Sequence, residues 1–335
     1  MVKVNKMDEE KNTVLVTGGS GFIGASTCLR LVEEGYNVVN IDRVKRDLKG
    51  VTQYPFELDN HQVRGLIKLL QPDAIIHLAA SHTVEGSVTD PGTYYWNNVA
   101  NTISLLNHAV EAGVKKFVFS SSSSVYGESE ISPQLGADEA TTSKNPISPY
   151  AKSKSIVEDI LWDYATAHSL ESVSLRYFNA AGSDTKNGIG YVTAKDELPT
   201  HLIPVLCKKV NEAEVFEIFG NDYATKDGTT SRDYTHVMDI VEGHIKALDY
   251  LNKGGTTDVF NMGASQSHTI REVIDTFQTV TGEKVNYVEA DRRSGDVAFT
   301  FANNTKAKEV LDWQPTRDLS DILSDAWAWE TRKKK

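Results

Sequence analysis

Cysteine is nearly absent. Cys28 and Cys207 are the only two in 335 residues. That is too few for a disulfide framework or a thiolate-built zinc site, and it suits a reducing, cytoplasmic setting. Basic residues are outnumbered: 35 Lys and Arg stand against 46 Asp and Glu, a net charge of -11. Such a surface repels phosphate backbones and anionic headgroups, which argues against nucleic acid or membrane as the main partner. A small anion can still bind where a few cations gather locally. No apolar run is long enough to cross a bilayer, and the polar opening (Lys3, Asn5, Lys6, Asp8, Glu9, Glu10, Lys11, Asn12) does not read as a signal peptide. Internal repeats are missing, and the one low-complexity run is Ser120 to Ser124. What remains is an ordinary globular composition, 40% hydrophobic and 24% charged, at a length that suggests about two domains.

The first half alternates strand and helix patterns. Thr13 to Thr17 is a β-branched run, Phe22 to Glu34 reads as a helix stopped by Gly35, and Val38, Val39 and Ile41 form a second strand ending at Asp42. Asp59 is placed to cap a helix that runs to about Leu70, before Pro72; Ala74 to Leu78 is a strand. Tyr94 to Ala112 carries Val99, Ile103, Leu106 and Val110 at helical spacing. Phe117 to Phe119 is a strand that runs into the serines, Ser148-Pro149 opens a helix to about His168, and Val173 to Leu175 is a strand. Strands alternating with helices predict a doubly wound, Rossmann-type α/β fold with a parallel sheet covered on both faces. The pattern loosens over Ala181 to Leu198, then resumes with a helix at Leu202 to Asn211, a strand at Phe216 to Phe219 and a helix from about Met238 to Leu251. The expected division is a dinucleotide-binding domain over 1-180, with about 236-261 returning to it, and a smaller α/β substrate lobe over 181-335. The basic end, Arg332 to Lys335, reads as a solvated tail.

Gly18-Gly19-Ser20-Gly21-Phe22-Ile23-Gly24 follows the first strand and opens the first helix. The spacing Gly19-x-Gly21-x-x-Gly24 supplies a tight turn, a close backbone approach to a pyrophosphate and tight helix-strand packing. The helix start then faces the phosphates. Asp42, at the end of the next strand, can accept from an adenosine ribose and repels a 2′-phosphate, which favours NAD over NADP. Arg43, beside it, is the one residue that would tolerate that phosphate.

Tyr150 and Lys154 are four apart on the helix opened by Ser148, hence on one face. A cation about 6 Å from a phenol, at an effective dielectric of about 20, is worth about 3 kcal/mol, or about two pKa units. Lys154 with an oxidised nicotinamide can therefore make Tyr150 a usable base. The serine run lies at the C-terminal end of a strand, where open α/β sheets build their sites. A second Tyr-x-x-x-Lys, Tyr191 and Lys195, sits in the irregular stretch with no cofactor motif leading to it and reads as coincidence.

Taken together, the glycine loop, the serines followed by Val125-Tyr126-Gly127, and Tyr150-Ala151-Lys152-Ser153-Lys154 resemble the extended short-chain dehydrogenase/reductases. Within them the likeness is to the branch that inverts C4 of UDP-hexoses. Leu175-Arg176-Tyr177-Phe178-Asn179, Phe219-Gly220-Asn221-Asp222-Tyr223, Arg232-Asp233-Tyr234-Thr235-His236-Val237 and Arg292-Arg293-Ser294-Gly295-Asp296 extend it from about Thr13 to about Trp329.

The resemblance implies an isomerase with resident NAD. Tyr150 takes the proton of the sugar 4-hydroxyl while C4 gives hydride to NAD, the 4-keto sugar turns over, and hydride returns to the other face. Ser122 matches the family's catalytic serine, bonding O4, and Lys154 holds the nicotinamide ribose. By the same carry-over Phe22, Ile23, Asp42, Asp59, Asn60, Leu78, Ala79, Ala80, Ser81, His82, Asn98 and Phe178 contact NAD. Asn179, His201, Leu202, Glu217, Ile218, Phe219, Arg232, Arg293, Asp296 and Thr300 face the UDP-sugar. Arginine suits the diphosphate because guanidinium pairs with phosphate oxygens, although most arginines end in surface ion pairs. From its residue type alone, Phe219 suits a uracil flank or a core strand equally.

The chain departs from the pattern in places. His82 stands where lysine is frequent, Asn101 where glycine is common, and His201 where some members have asparagine. Ser123 and Ser124 replace an Ala-Thr pair. Related 4,6-dehydratases carry Asp-Glu there, and related decarboxylases keep the glutamate. Serine cannot do a carboxylic acid's work, so both chemistries lose support. Thr300 is a small residue where some members have tyrosine, which implies room for N-acetylated sugars. A homodimer is implied, through the helices near Tyr94 to Ala112 and Tyr150 to His168. No metal is implied.

Overall fold

The structure, a computed structural model, describes residues 11-127, 129-132, 134-192, 199-293 and 296-332. Lys195 of the second Tyr-x-x-x-Lys, Ser294 and Gly295 of the arginine motif, the polar residues before Lys11 and the last three residues lie outside the described residues. The chain divides into two compact units. The first holds Met1-Ser129, Ser143-Arg176 and Val241-Phe260; the second holds Glu130-Thr142, Tyr177-Ile240 and Asn261-Lys335.

A seven-stranded sheet organises the first unit. Its spatial order is Asp258–Met262, Glu171–Tyr177, Lys116–Ser122, Ala74–His77, Thr13–Thr17, Asn37–Ile41, Val51–Tyr54. The first strand in sequence pairs parallel with both the second and the fourth. The order therefore reverses beside Thr13–Thr17, the switch point at which doubly wound sheets bind ligands. Strand residues alternate between faces. Leu15 joins a core with Val63, Leu66 and Ile67 of the helix Gln62–Leu70, Leu105, Leu106 and Ala109 of Asn101–Glu111, and Val157 and Leu161 of Pro149–His168. Val14 and Val16, equally buried, alternate with Leu15 and so face the other side. The helix Phe22–Glu33 buries Ala25, Cys28 and Leu31, and Arg30 ties it to Glu242 of Val237–Asn252 at 2.6 Å.

Three expectations need correction. Asp59 does not cap the helix Gln62–Leu70; Asn60 does the nearer work, its Oδ1 accepting from Gln62 N at 2.9 Å. The helix expected over Tyr94 to Ala112 is a short helix Pro91–Tyr95, a π-helical turn Trp96–Ala100 and a helix Asn101–Glu111. That turn holds one residue more than an α-helical one, and Asn98 within it is buried. The first three serines of the run belong to the strand Lys116–Ser122 rather than following it.

The second unit has its own core. Ile203, Leu206 and Cys207 of the helix Leu202–Asn211 meet Val273, Ile274 and Phe277 of Ile270–Thr281 and Ile322 and Leu323 of Leu319–Thr331. Reciprocal capping boxes, Thr269 with Glu272 and Asp318 with Asp321, fix where the last two begin. The strand Ser231–His236 pairs with Ser267–Thr269, Phe299–Thr300 and Asn179–Ala181. Phe216–Phe219 pairs parallel with Tyr287–Ala290.

Candidate active site

The glycine loop is built to leave no side-chain volume. Gly18 has φ of +75°, and a Cβ there would stand 2.6 Å from Ala79 N; a Cβ at Gly24 would stand 2.2 Å from Gly18 O. The loop is pinned from the next strand. Asn40, buried and unforeseen in the sequence, accepts from Gly19 N at 2.8 Å, and Asp42 accepts from Ser20 N at 2.9 Å. Asp42 also accepts from Val44 N at 2.9 Å, so both carboxylate oxygens are oriented while the residue stays partly exposed. No side chain caps the helix start at Gly21, an arrangement that receives an anion. A cradle free of side chains at a helix N-terminus, with an oriented carboxylate at the end of the second strand, fits a dinucleotide without a 2′-phosphate. Ser81 is fixed by Asn98, whose Oδ1 accepts from Ser81 N at 2.8 Å and whose Nδ2 donates to Ser81 O at 2.9 Å and Ser153 Oγ at 3.0 Å. Asp59 is exposed, and Asn60 is spent on the helix start.

Ser122, Tyr150 and Lys154 come together within the first unit. Ser148 caps its helix by accepting from Ala151 N at 3.1 Å, which sets Tyr150 and Lys154 on successive turns. Lys154 is buried; its Nζ donates to Ser120 O at 2.7 Å and lies 4.8 Å from the Phe119 ring centre and 5.9 Å from that of Tyr150. Burial pushes it down to about 7, with the charge of Glu158 pulling the other way. Ser122 Oγ accepts from Ser124 Oγ at 2.9 Å and from Ser124 N at 3.2 Å, which directs its own proton elsewhere. Burial raises the Tyr150 phenol, the hydrogen bond with Ser122 lowers it, and Tyr94, edge-on at 6.5 Å between ring centres, raises it again. The trio is a phenol, a hydroxyl aimed at it and a buried cation, at the end of a parallel strand: a proton-transfer device.

The second unit gathers several of the residues expected to face a nucleotide. Asn179, Arg232 and Thr300 lie on one small sheet, Thr300 directly opposite Arg232. Asn179 Nδ2 donates to Asp233 O at 2.9 Å. Arg232 donates to Val297 O at 2.9 Å and pairs with Asp296 at 3.3 Å. Arg293 lies over Phe219, 3.8 Å from the ring centre. Glu217 is exposed and Ile218 buried on the same strand, and His201 opens the helix that begins at Leu202, its ring 5.4 Å from Tyr191. Phe178 is buried beside Gly263. Asp233 was legible only as part of a motif, yet its carboxylate accepts from three backbone N–H groups, those of Ala264, Ser265 and Ala302.

The model of the NAD dependent epimerase/dehydratase family matches residues 14-263. The chain belongs to this family. The UDP-glucose 4-epimerase of Rhizobium meliloti (strain 1021) is 39% identical over 330 residues, covering 97% of this chain and 98% of that protein. Among solved structures, UDP-glucose 4-epimerase from Brucella ovis in complex with NAD superposes with a TM-score of 0.87 at 36% identity, covering 94% of this chain and 97% of that one. The Stenotrophomonas maltophila UDP-glucose-4-epimerase, with NAD and formylated UDP-arabinopyranose bound, gives 0.87 at 32% identity, covering 96% and 98%. The doubly wound sheet and its switch-point glycine loop are thus those of an NAD-dependent epimerase family. Among the described residues no helix is long and apolar enough to cross a membrane, and no cluster of ligating side chains could hold a metal.

Proposed function

We propose that this chain interconverts UDP-galactose and UDP-glucose by inverting C4 of the hexose, with resident NAD. The observation that carries this reading is the convergence of Ser122, Tyr150 and Lys154 at the strand end, in a chain 39% identical to a UDP-glucose 4-epimerase over nearly its whole length. NAD, when bound, supplies the acceptor for the C4 hydride and later its donor. The Tyr150 phenolate takes the O4 proton and returns it to the epimerised sugar. Ser122 donates to O4, steadying charge as the proton leaves. Lys154 holds a nicotinamide ribose hydroxyl and favours the phenolate. Gly18, Gly21, Gly24 and the first turn at Phe22 and Ile23 receive the pyrophosphate; Asp42 takes the adenosine ribose.

Asn179, Arg232, Arg293 and Asp296 bind the UDP, with Phe219 beside the uracil. In this reading 1-180, with about 236-261, serves the dinucleotide and 181-335 the nucleotide sugar, except that Asn179 belongs by its role with the second. The working form is a cytoplasmic homodimer serving galactose metabolism. Trp96 and Trp162, 58% and 49% exposed on the two helical segments, supply the apolar surface a second copy covers; their replacement by serine together yields monomers in sedimentation. Unchanged mass in that double variant removes those helices as the dimer surface.

Incubating the purified protein with UDP-galactose and no added NAD tests the reaction. Net UDP-glucose is the expected product. Stoichiometric NADH without turnover makes the chain an oxidoreductase instead, and no change makes it an NAD-binding protein without this chemistry. Thr300 sets sugar size: the protein also turns over UDP-GalNAc and UDP-GlcNAc, and Thr300→Tyr lowers the rate on that pair while sparing UDP-galactose. Equal losses on both pairs, or no N-acetyl activity in the parent protein, overturn the role of Thr300.

A further inference from the structure

Glu158 and Arg176 form a buried ion pair, their side chains 1% and 5% exposed. Glu158 follows Lys154 by four residues and Tyr150 by eight, so all three share one helix face. The helix grips consecutive residues of the neighbouring strand: Lys154 donates to Ser120 O, and Ser121 Oγ donates to Glu158 Oε1 at 2.5 Å. The next residue is Ser122. Arg176 closes on Glu158 as a fork, Nε to Oε1 at 2.9 Å and Nη2 to Oε2 at 2.7 Å. Its Nη1 donates to the Tyr126 hydroxyl at 2.9 Å, at the end of the turn that Ser122 caps. Burying an ion pair is costly, and an apolar pair would hold helix to sheet as well or better. Apolar packing would not fix Ser121 by direction or place a negative charge one turn from Lys154.

We propose that Glu158 is a positioning residue of the active site, fixing Ser122, through Ser121 and Arg176, against the helix that carries Tyr150 and Lys154. Its charge has a second effect: it favours the ammonium form of Lys154, which the proposed chemistry uses. Among the described residues, Tyr150 on the same helix, and His77 and His82 from the strand Ala74–His77 and the segment after it, are titratable groups that interact with that ammonium. Burial pushes His77 down to about 3. Partial desolvation, with the charges of Lys154 and Arg43, holds His82 below its usual value. Arg176 and Lys144 face Glu158 itself, Lys144 at 3.7 Å.

This inference rests on the reaction proposed above, so conversion of UDP-galactose by the parent protein is measured first; an inert parent overturns both. Three variants then separate reach from charge. Glu158→Gln keeps the reach and loses the charge, Glu158→Asp keeps the charge and loses the reach, and Ser121→Ala removes only the tie to the strand. Glu158→Gln lowers kcat at least about ten-fold with KM little changed, and moves the alkaline limb of the kcat profile to lower pH, because Lys154 loses its proton sooner. Glu158→Asp and Ser121→Ala lower kcat without moving that limb.

The thermal midpoint gives a readout independent of activity. Lys154 releases its proton at about 7 when folded and at about 10.4 when unfolded, so its contribution to stability rises with pH between the two. In Glu158→Gln that rise begins at lower pH. An active parent whose variants lose only thermal stability, with kcat and pH profile unchanged, leaves Glu158 a structural residue and overturns the proposal. Should Glu158→Gln fail to fold, Ser121→Ala decides alone, and unchanged kcat there is the overturning result.

Discussion

Tyr150→Phe loses at least about 100-fold in kcat on UDP-galactose, the scale of removing a positioned general base, while leaving the fold in place. The phenol is the one group of the trio that can both take and return the O4 proton. Lys154 is tied to Ser120 O, and Ser122 Oγ already accepts from Ser124. Deleting one hydroxyl removes a hydrogen bond to Ser122 and no packing, so the stability cost stays within about 1.5 kcal/mol. The two readouts together separate a lost base from a damaged site. The pH profile adds a sign. Only the phenolate accepts a proton, and burial holds the phenol above its ordinary value. The parent rate therefore climbs with rising pH on its acid side as the phenol ionises. The variant lacks that climb. Near-normal turnover, or an unchanged acid limb at reduced rate, removes Tyr150 from the proton-transfer step.

The glycine loop and the Tyr150 helix were legible because their signals are local. A Gly-rich turn after a β-branched run, and a Ser-Pro helix start directly before Tyr150, report short-range sterics and capping. The helix Leu202–Asn211 and the strand Phe216–Phe219 fall where periodicity put them. What stayed hidden depends on partners distant in sequence. The edge strand Val51–Tyr54 shows no alternation of its own and exists by pairing with Asn37–Ile41. Asn40 looks like a polar defect in a buried strand until Gly19 N is seen to need its oxygen. Glu158 reads as an ordinary charge on an amphipathic helix; only the fold brings Arg176, eighteen residues later, and Ser121, thirty-seven earlier, onto its carboxylate. The π-helical turn at Trp96–Ala100 is invisible to a 3.6-residue period, because it is one residue out of step with it.

Asp233→Asn destabilises the protein by about 2–5 kcal/mol, through groups no local pattern announces. Oδ1 of Asp233 accepts from Ala264 N at 2.8 Å, and Oδ2 accepts from Ser265 N and Ala302 N, both at 3.1 Å. One carboxylate thus binds two separate segments to the strand that carries Arg232. The space is tight: a Cβ at Gly263 would stand 2.6 Å from Oδ2. Asparagine fits the volume but presents an N–H₂ on one side. Either way round, at least one backbone N–H then faces a donor and is left unsatisfied in a buried site. Asn179, which donates to the Asp233 carbonyl, and Thr300, opposite Arg232, shift with the strand, so KM for UDP-galactose rises more than kcat falls. The pH dependence has a definite sign. Burial raises the carboxyl to about 6, against the backbone hydrogen bonds that lower it. The folded protein therefore holds a proton that the unfolded chain releases near about 3.9. Over that window this group's contribution to stability falls as pH rises. Thermal or denaturant unfolding between about pH 4 and about pH 7 shows that slope in the parent protein and lacks it in Asp233→Asn. A variant as stable as the parent, with the slope retained, means that the three N–H groups find their partners elsewhere and that Arg232 is held in place by its own bonds to Val297 and Asp296.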